Sequence, residues 1–190
     1  HRSVREFLTA EWLNVLLLND KSRRDIEAIF FRNQYGLDVI VPTSRPVLSW
    51  MVLLDDSIRE KTRRIAPEVF VKSGDVSRLP LSERKSLLAQ MCDILATKGF
   101  GRTYFSDTEL YRFGKSDMQD HIHGLAKKYR KHDDVLDILL VMAQRRKIDI
   151  GSEIALEVVQ DQNRERNTRV NALAYLHSRS SKEPLNQITE

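Results

Sequence analysis

Turn formers are scarce in this sequence, with seven glycines and five prolines among 190 residues. A sandwich or barrel reverses direction at every strand and needs more of them than this. Cysteine is nearly absent. The one thiol, Cys92, lies in LLAQMCDILA among apolar residues at helical spacing and reads as a small buried hydrophobe. No disulfide can form within the chain, which suits a reducing compartment. No apolar run approaches the roughly 20 residues of a membrane-spanning helix. His1 and Arg2 do not lead into the apolar segment and cleavage site of a signal peptide. These absences predict a cytoplasmic chain with no membrane partner. Charge of a single sign is also lacking: 31 Lys and Arg face 27 Asp and Glu, for a net +4. That balance excludes a histone-like polycation and leaves acidic partners permitted rather than required.

What the chain does have is charge and apolar bulk in alternating faces. Charged residues make up 31% and hydrophobic ones 41%, enough of the latter for a packed core. The fold class read from this balance is all-α, an irregular array of antiparallel helix pairs.

Val4, Phe7, Leu8, Trp12, Val15 and Leu16 recur at helical spacing, opposite Arg2, Arg5, Glu6 and Thr9. A first helix therefore ends near Leu18. Ser22 with Asp25 starts a second by a capping pattern, and Gly36 is read as its stop. DVIVPTSRP is a connector, and Pro46 suits the first turn of the next helix. VLSWMVLLDD is apolar on nearly all sides, which predicts a buried helix, and SIREKTRRIA follows with a charged face. VKSGDVSRLP is the clearest internal boundary. Beyond it Ser82 is expected to cap a helix with Leu87, Leu88, Met91, Ile94 and Leu95 as core, closed by Gly99. Each such side chain contributes about 1.5–3 kcal/mol when fully buried. GFGRTYF is read as a loop. Ser106 with Glu109, and Ser116 with Gln119, give two capping boxes for the next helices. DDVLDILLVMAQRRK begins acidic and ends basic, as the helix dipole prefers. SEIALEVVQ and RNTRVNALAYLH complete the series. Their pattern Arg169-Val170-x-Ala172-Leu173-x-x-Leu176 looks HEAT-like, so this end of the chain is expected to stack as helical repeats. The expected divisions are 1–73, a HEAT-like subdomain at 74–178, and a flexible tail at 179–190.

Catalytic motifs are sparse. No phosphate-cradling G-x-x-x-x-G-K-[ST] loop occurs, and KGFGRTYF places its lysine on the wrong side. In DHIH, His121 and His123 stand about 200° apart on a helix and cannot share one ion, so no metal is expected; they read as surface histidines. Asp55–Asp56 and Asp133–Asp134 fall at helix starts, where capping accounts for them. Basic clusters occur at 21–24, 59–64, 127–132 and 145–147. Lys127, Lys128, Tyr129, Arg130 and Lys131 are the candidate nucleic-acid contacts, the lysines and arginine on phosphate and Tyr129 stacking on a base.

His1, Ser3, Glu6, Phe7, Leu8 and Ala10 match H-x-S-x-x-E-F-[LF]-x-A. That pattern resembles the segment closing the winged-helix domain of NACHT-type STAND NTPases, which include NOD-like receptors and bacterial antiphage proteins. Thr9 departs from the alanine common there. RPVLSWMVLLDD and GDVSRLPLSERKSLL are also similar to stretches downstream of it, so the resemblance touches about a third of the chain. It implies that His1 reaches the phosphates of ADP held by an upstream domain, as a charge-assisted donor. Phe7, Leu8 and Trp12 would anchor the helix, and Glu6 would orient a neighbour. ATP or ADP with magnesium would belong to the parent protein, and no cofactor to this segment. The chain would then be a regulatory helical region, not itself an enzyme. It would link upstream NTPase and winged-helix domains to a downstream sensor, in a parent that oligomerises on activation and serves antiviral defence. A basic nucleic-acid-binding module and an independent HEAT-like scaffold are the alternative readings.

Overall fold

Helices dominate the chain, as its composition predicts. The computed structural model describes residues 2–19, 22–72, 74–98 and 105–179. Among these the chain is all-α apart from one two-stranded hairpin, and none of its helices is long and apolar enough to cross a membrane. Two compact units are formed, one up to Leu79 and one from Pro80 onward.

The first unit opens with α1 (Arg2–Leu18), whose apolar residues divide between two faces. Ala10 and Leu13 are buried, and Phe7 meets Trp50 edge to face, with centroids 5.3 Å apart. Trp50 belongs to α3 (Arg45–Met51), on which α1 packs. Leu8 and Trp12, expected as anchors, are instead at least half exposed, together with Val4, Val15 and Leu18. The i, i+4 spacing was correctly helical, but a helix packed along one side buries only one of its two apolar faces.

Ser22 accepts the Asp25 N–H, and α2 (Arg23–Phe30) starts where the capping pattern places it. It does not continue to Gly36. Phe31 takes extended backbone, and β1 (Phe31–Gln34) runs antiparallel to β2 (Leu37–Ile40), pairing Phe31 with Ile40 and Gln34 with Leu37. The reason lies in the turn. Tyr35 and Gly36 have φ of 54° and 82°, the left-handed pair that a two-residue hairpin requires. Asn33 Oδ1 accepts the Gly36 N–H at 3.1 Å and braces it. Gly36 therefore reverses a hairpin rather than ending a helix, and the first three residues of the expected connector, Asp38 to Ile40, are strand.

Pro46 occupies the first turn of α3 as expected. That helix ends at Met51, so VLSWMVLLDD is not helical throughout, although Leu48, Met51 and Val52 are fully buried. Asp55 caps α4 (Asp56–Ile65) by accepting the Ile58 N–H at 2.8 Å. The short α5 (Val69–Lys72) buries Val69, Phe70 and Val71. Gly74 then lies so close to α3 that a Cβ would stand 2.3 Å from the Ser49 carbonyl oxygen.

In the second unit α6 (Leu81–Lys98) begins one residue before Ser82, which therefore sits in the first turn and not at the cap. Leu87, Leu88, Met91, Cys92 and Leu95 are buried, while Ile94 is half-buried. Gly99 and the loop through Tyr104 lie outside the described residues. Ser106 and Glu109 form the expected reciprocal capping box at α7 (Asp107–Phe113). The second box does not form. Ser116 opens a 3-10 turn, and Gln119, the first residue of α8 (Gln119–Lys128), accepts the Asp149 N–H instead.

The axis of this unit is α9 (Asp133–Arg146). Nine consecutive residues, Val135 to Ala143, are buried in it. Helices α6, α7, α8 and α11 (Arg166–Ser178) pack around it, and α10 (Ser152–Gln160) packs on α11. In α11, Ala172, Tyr175 and Leu176 are buried while Val170 and Leu173 are partly exposed. Of the expected tail only Arg179 is described. It donates to Asp149 and to the Lys147 carbonyl.

Candidate functional site

The candidate nucleic-acid contacts sit where α8 turns into α9. Lys127 and Lys128 complete the last turn of α8, where positive charge complements exposed carbonyls. The helix stops at Tyr129, whose N–H still reaches Leu125, and His132 precedes α9.

At this corner Tyr129 faces inward. It is 5% exposed, and its hydroxyl donates to the Asp93 carboxylate of α6. Lys128 Nζ joins the same oxygen at 3.2 Å and stands 4.6 Å over the tyrosine ring. The edge of His132 completes the enclosure. The Tyr129 hydroxyl bond, assisted by Lys128, holds the Asp93 carboxyl below its ordinary range, while burial raises the phenol. Tyr129 is thus an anchor between helices rather than an open stacking platform. Its partner lies 36 residues away, which no local spacing shows.

The neighbouring cations divide. Arg130 lies 4.0 Å from Glu157, and its carbonyl accepts from Arg164. Lys127 and Lys131 are exposed. Lys131 borders a cavity of about 270 Å³ whose other walls include His132, Asp133, Asp134 and Glu165. Asp133 is engaged by Arg164 at 2.6 Å and by the Glu165 N–H at 2.9 Å. Acidic walls of this kind oppose a phosphate rather than draw one.

The other basic clusters show the same pairing. Lys21 lies outside the described residues. Arg23 grips Asp55 with two nitrogens, and Lys61 reaches Glu27 at 3.2 Å while lying over Phe31. Arg59 binds Asp56 and the Val52 carbonyl. Arg145 binds Asp107, and Arg146 donates to the Tyr111 carbonyl above the Tyr111 ring. These paired cations serve the fold locally, whereas Arg24, Arg64 and Lys147 of the same clusters are exposed.

Two further groups bear on catalysis. Burial pushes the Cys92 thiol up to about 12, so it carries no nucleophilic thiolate near neutral pH. His121 and His123 are half-buried rather than on the surface. His121 Nε2 contacts the Lys85 carbonyl at 2.8 Å, and His123 Nε2 is buried without a partner among the described residues. No His, Cys, Asp and Glu group among those residues is arranged to hold a metal.

His1 lies outside the described residues. The rest of its motif follows one rule. Ser3, Glu6, Phe7 and Ala10 line the inner face of α1, and Leu8 points outward. Glu6 pairs with Arg2 at 2.8 Å. Comparison with protein-family models, curated proteins and solved structures returned no match.

Proposed function

We propose that this chain is the regulatory helical region of a NACHT-type STAND ATPase. In this reading it couples a nucleotide switch upstream of His1 to a sensor downstream. One observation carries the proposal: the pattern H-x-S-x-x-E-F-[LF]-x-A occurs at the start of α1, and its Ser, Glu, Phe and Ala positions share the inward face. The helix that carries these positions is fixed to α3 through the edge-to-face contact of Phe7 with Trp50. The role is mechanical. Ligands bias two states only through contacts that differ between them, and a stiff α1 is suited to carry such a difference. The HEAT-like stacking of α10 and α11 belongs to the same proposal, as the base of a downstream array.

The test adds the coding sequence immediately upstream and measures ADP affinity by calorimetry. His1→Ala is expected to weaken ADP binding by about tenfold or more, the loss of one charge-assisted hydrogen bond. The 190-residue chain alone is expected to show no ATP turnover. An upstream sequence without a phosphate-binding loop, or ADP affinity indifferent to His1→Ala, would overturn the reading.

A further inference from the structure

Tyr111, in the last turn of α7, carries a cation on one side of its ring. The Arg146 guanidinium of α9 lies 3.6 Å from the ring centroid, and its Nε donates to the Tyr111 carbonyl at 2.6 Å. That bond fixes the planar charge against the ring, a stack that arginine favours. Tyr111 is nonetheless 44% exposed, so the side of the ring away from Arg146 opens to water.

Positive charge is in excess around this ring. Helices α7 and α9 both end here, and bare carbonyls at helix ends repel an anion. Arg146 covers the Tyr111 carbonyl, and Arg179 covers that of Lys147 at 3.2 Å. On α7 and at the end of α9, Arg112, Arg145, Arg146 and Lys147 stand against Asp107 and Glu109. Both acids are engaged, Asp107 by Arg145 at 2.8 Å and Glu109 by the Ser106 N–H at 2.7 Å. Asp117 and Asp149, the next acids along the chain, are held by Arg84 and Arg179. Arg112 and Lys147 are exposed and meet no carboxylate among the described residues. Lys147 closes α9 at a φ of 54°, a left-handed position that glycine usually takes. A cation stands there instead.

An open aromatic face bordered by unpaired cations matches a single strand of nucleic acid, whose bases stack while its phosphates pair. A duplex hides its base faces, and an acidic peptide leaves the ring unused. We infer that the corner where α7 and α9 end binds single-stranded nucleic acid, one base stacking on Tyr111 and adjacent phosphates meeting Arg112 and Lys147. The surface lies wholly within the second unit and is independent of the nucleotide-switch reading.

Fluorescence anisotropy of the full chain with a labelled strand of about 12 nucleotides tests this. Affinity should fall as salt rises from about 50 to 200 mM. An abasic strand of equal length and charge, and the matching duplex, should each bind about tenfold more weakly or worse. Tyr111→Ala should cost a similar factor and Tyr111→Phe little, with far-UV circular dichroism unchanged in both. Arg112→Ala combined with Lys147→Ala should flatten the slope of log affinity against log salt by about 1.4, the loss of two phosphate contacts on a single strand. Deoxy and ribo versions of the strand assign the sugar, the tighter arm naming it. Absence of binding up to about 100 μM strand at low salt would overturn the inference. So would an abasic or duplex ligand held as tightly, polyglutamate competing as well as the strand, or Tyr111→Ala without effect.

Discussion

Helices α1 and α9 are both rich in leucine and valine, yet they hold their units together in opposite ways. In α9 the run from Val135 to Ala143 is buried on every side, because neighbours surround it. In α1 only Ala10 and Leu13 are fully enclosed, and the outward apolar face remains in water. Composition does not distinguish a central helix from a peripheral one. The number of faces that neighbours cover does, and that number decides which substitutions matter.

The sharpest way to break this contrast is to shorten a side chain in each helix. Leu139→Ala in α9 opens a cavity where nothing can readily relax, and is expected to cost about 2–5 kcal/mol. A urea unfolding curve followed by circular dichroism measures it. A cost below 1 kcal/mol would show that α9 is not the axis of its unit.

Acid should separate the units next. Asp93, Asp117 and Asp149 of the second unit each hold a carboxyl below its usual range. The leading causes are the Tyr129 hydroxyl, Arg84 and the Gly151 N–H, respectively. In the first unit Asp55 does the same: burial opposes ionisation there, but Arg23 and the Ile58 N–H outweigh it. A folded-state value below the unfolded one supplies stability above the unfolded pKa and loses it as pH falls through the folded value. The second unit should therefore lose more stability below about pH 4. Thermal melts at pH 6 and pH 3 compare the two, and equal losses would contradict the assignment.

Smaller effects sharpen the peripheral side. Tyr35 adopts a left-handed φ and is fully exposed. Tyr35→Asn should stabilise the hairpin by up to about 1 kcal/mol, since asparagine tolerates that conformation better. A lower melting temperature would indicate that the tyrosine ring makes a contact worth more than its strain. Leu8→Ala should change stability by no more than about 0.5 kcal/mol.

The helical class and most element starts were legible because they rest on local signals. Ser22, Asp55, Pro46 and the Ser106–Glu109 box all act within one turn of where they stand. The hairpin was not legible from Gly36 alone. A lone glycine after an apolar run serves equally as a helix stop or a turn, and only the strand-forming residues on both sides distinguish them. FF before the turn and VIV after it were the available signal. The burial of Tyr129 was out of reach for a different reason. Its basic neighbours suggest an open surface, whereas its acceptor, Asp93, arrives from α6. The outward apolar face of α1 was hidden by the same logic, because periodicity marks a face as apolar without saying what meets it.

The placement of the aromatic residues has an optical consequence. Both tryptophans, Trp12 and Trp50, belong to the first unit, one largely in solvent and one set against Phe7. Indole emission therefore follows that unit alone, while ellipticity sums over both. Recorded together during a single denaturation, the two signals coincide if the chain melts as a whole and part if its halves melt separately, without any added label.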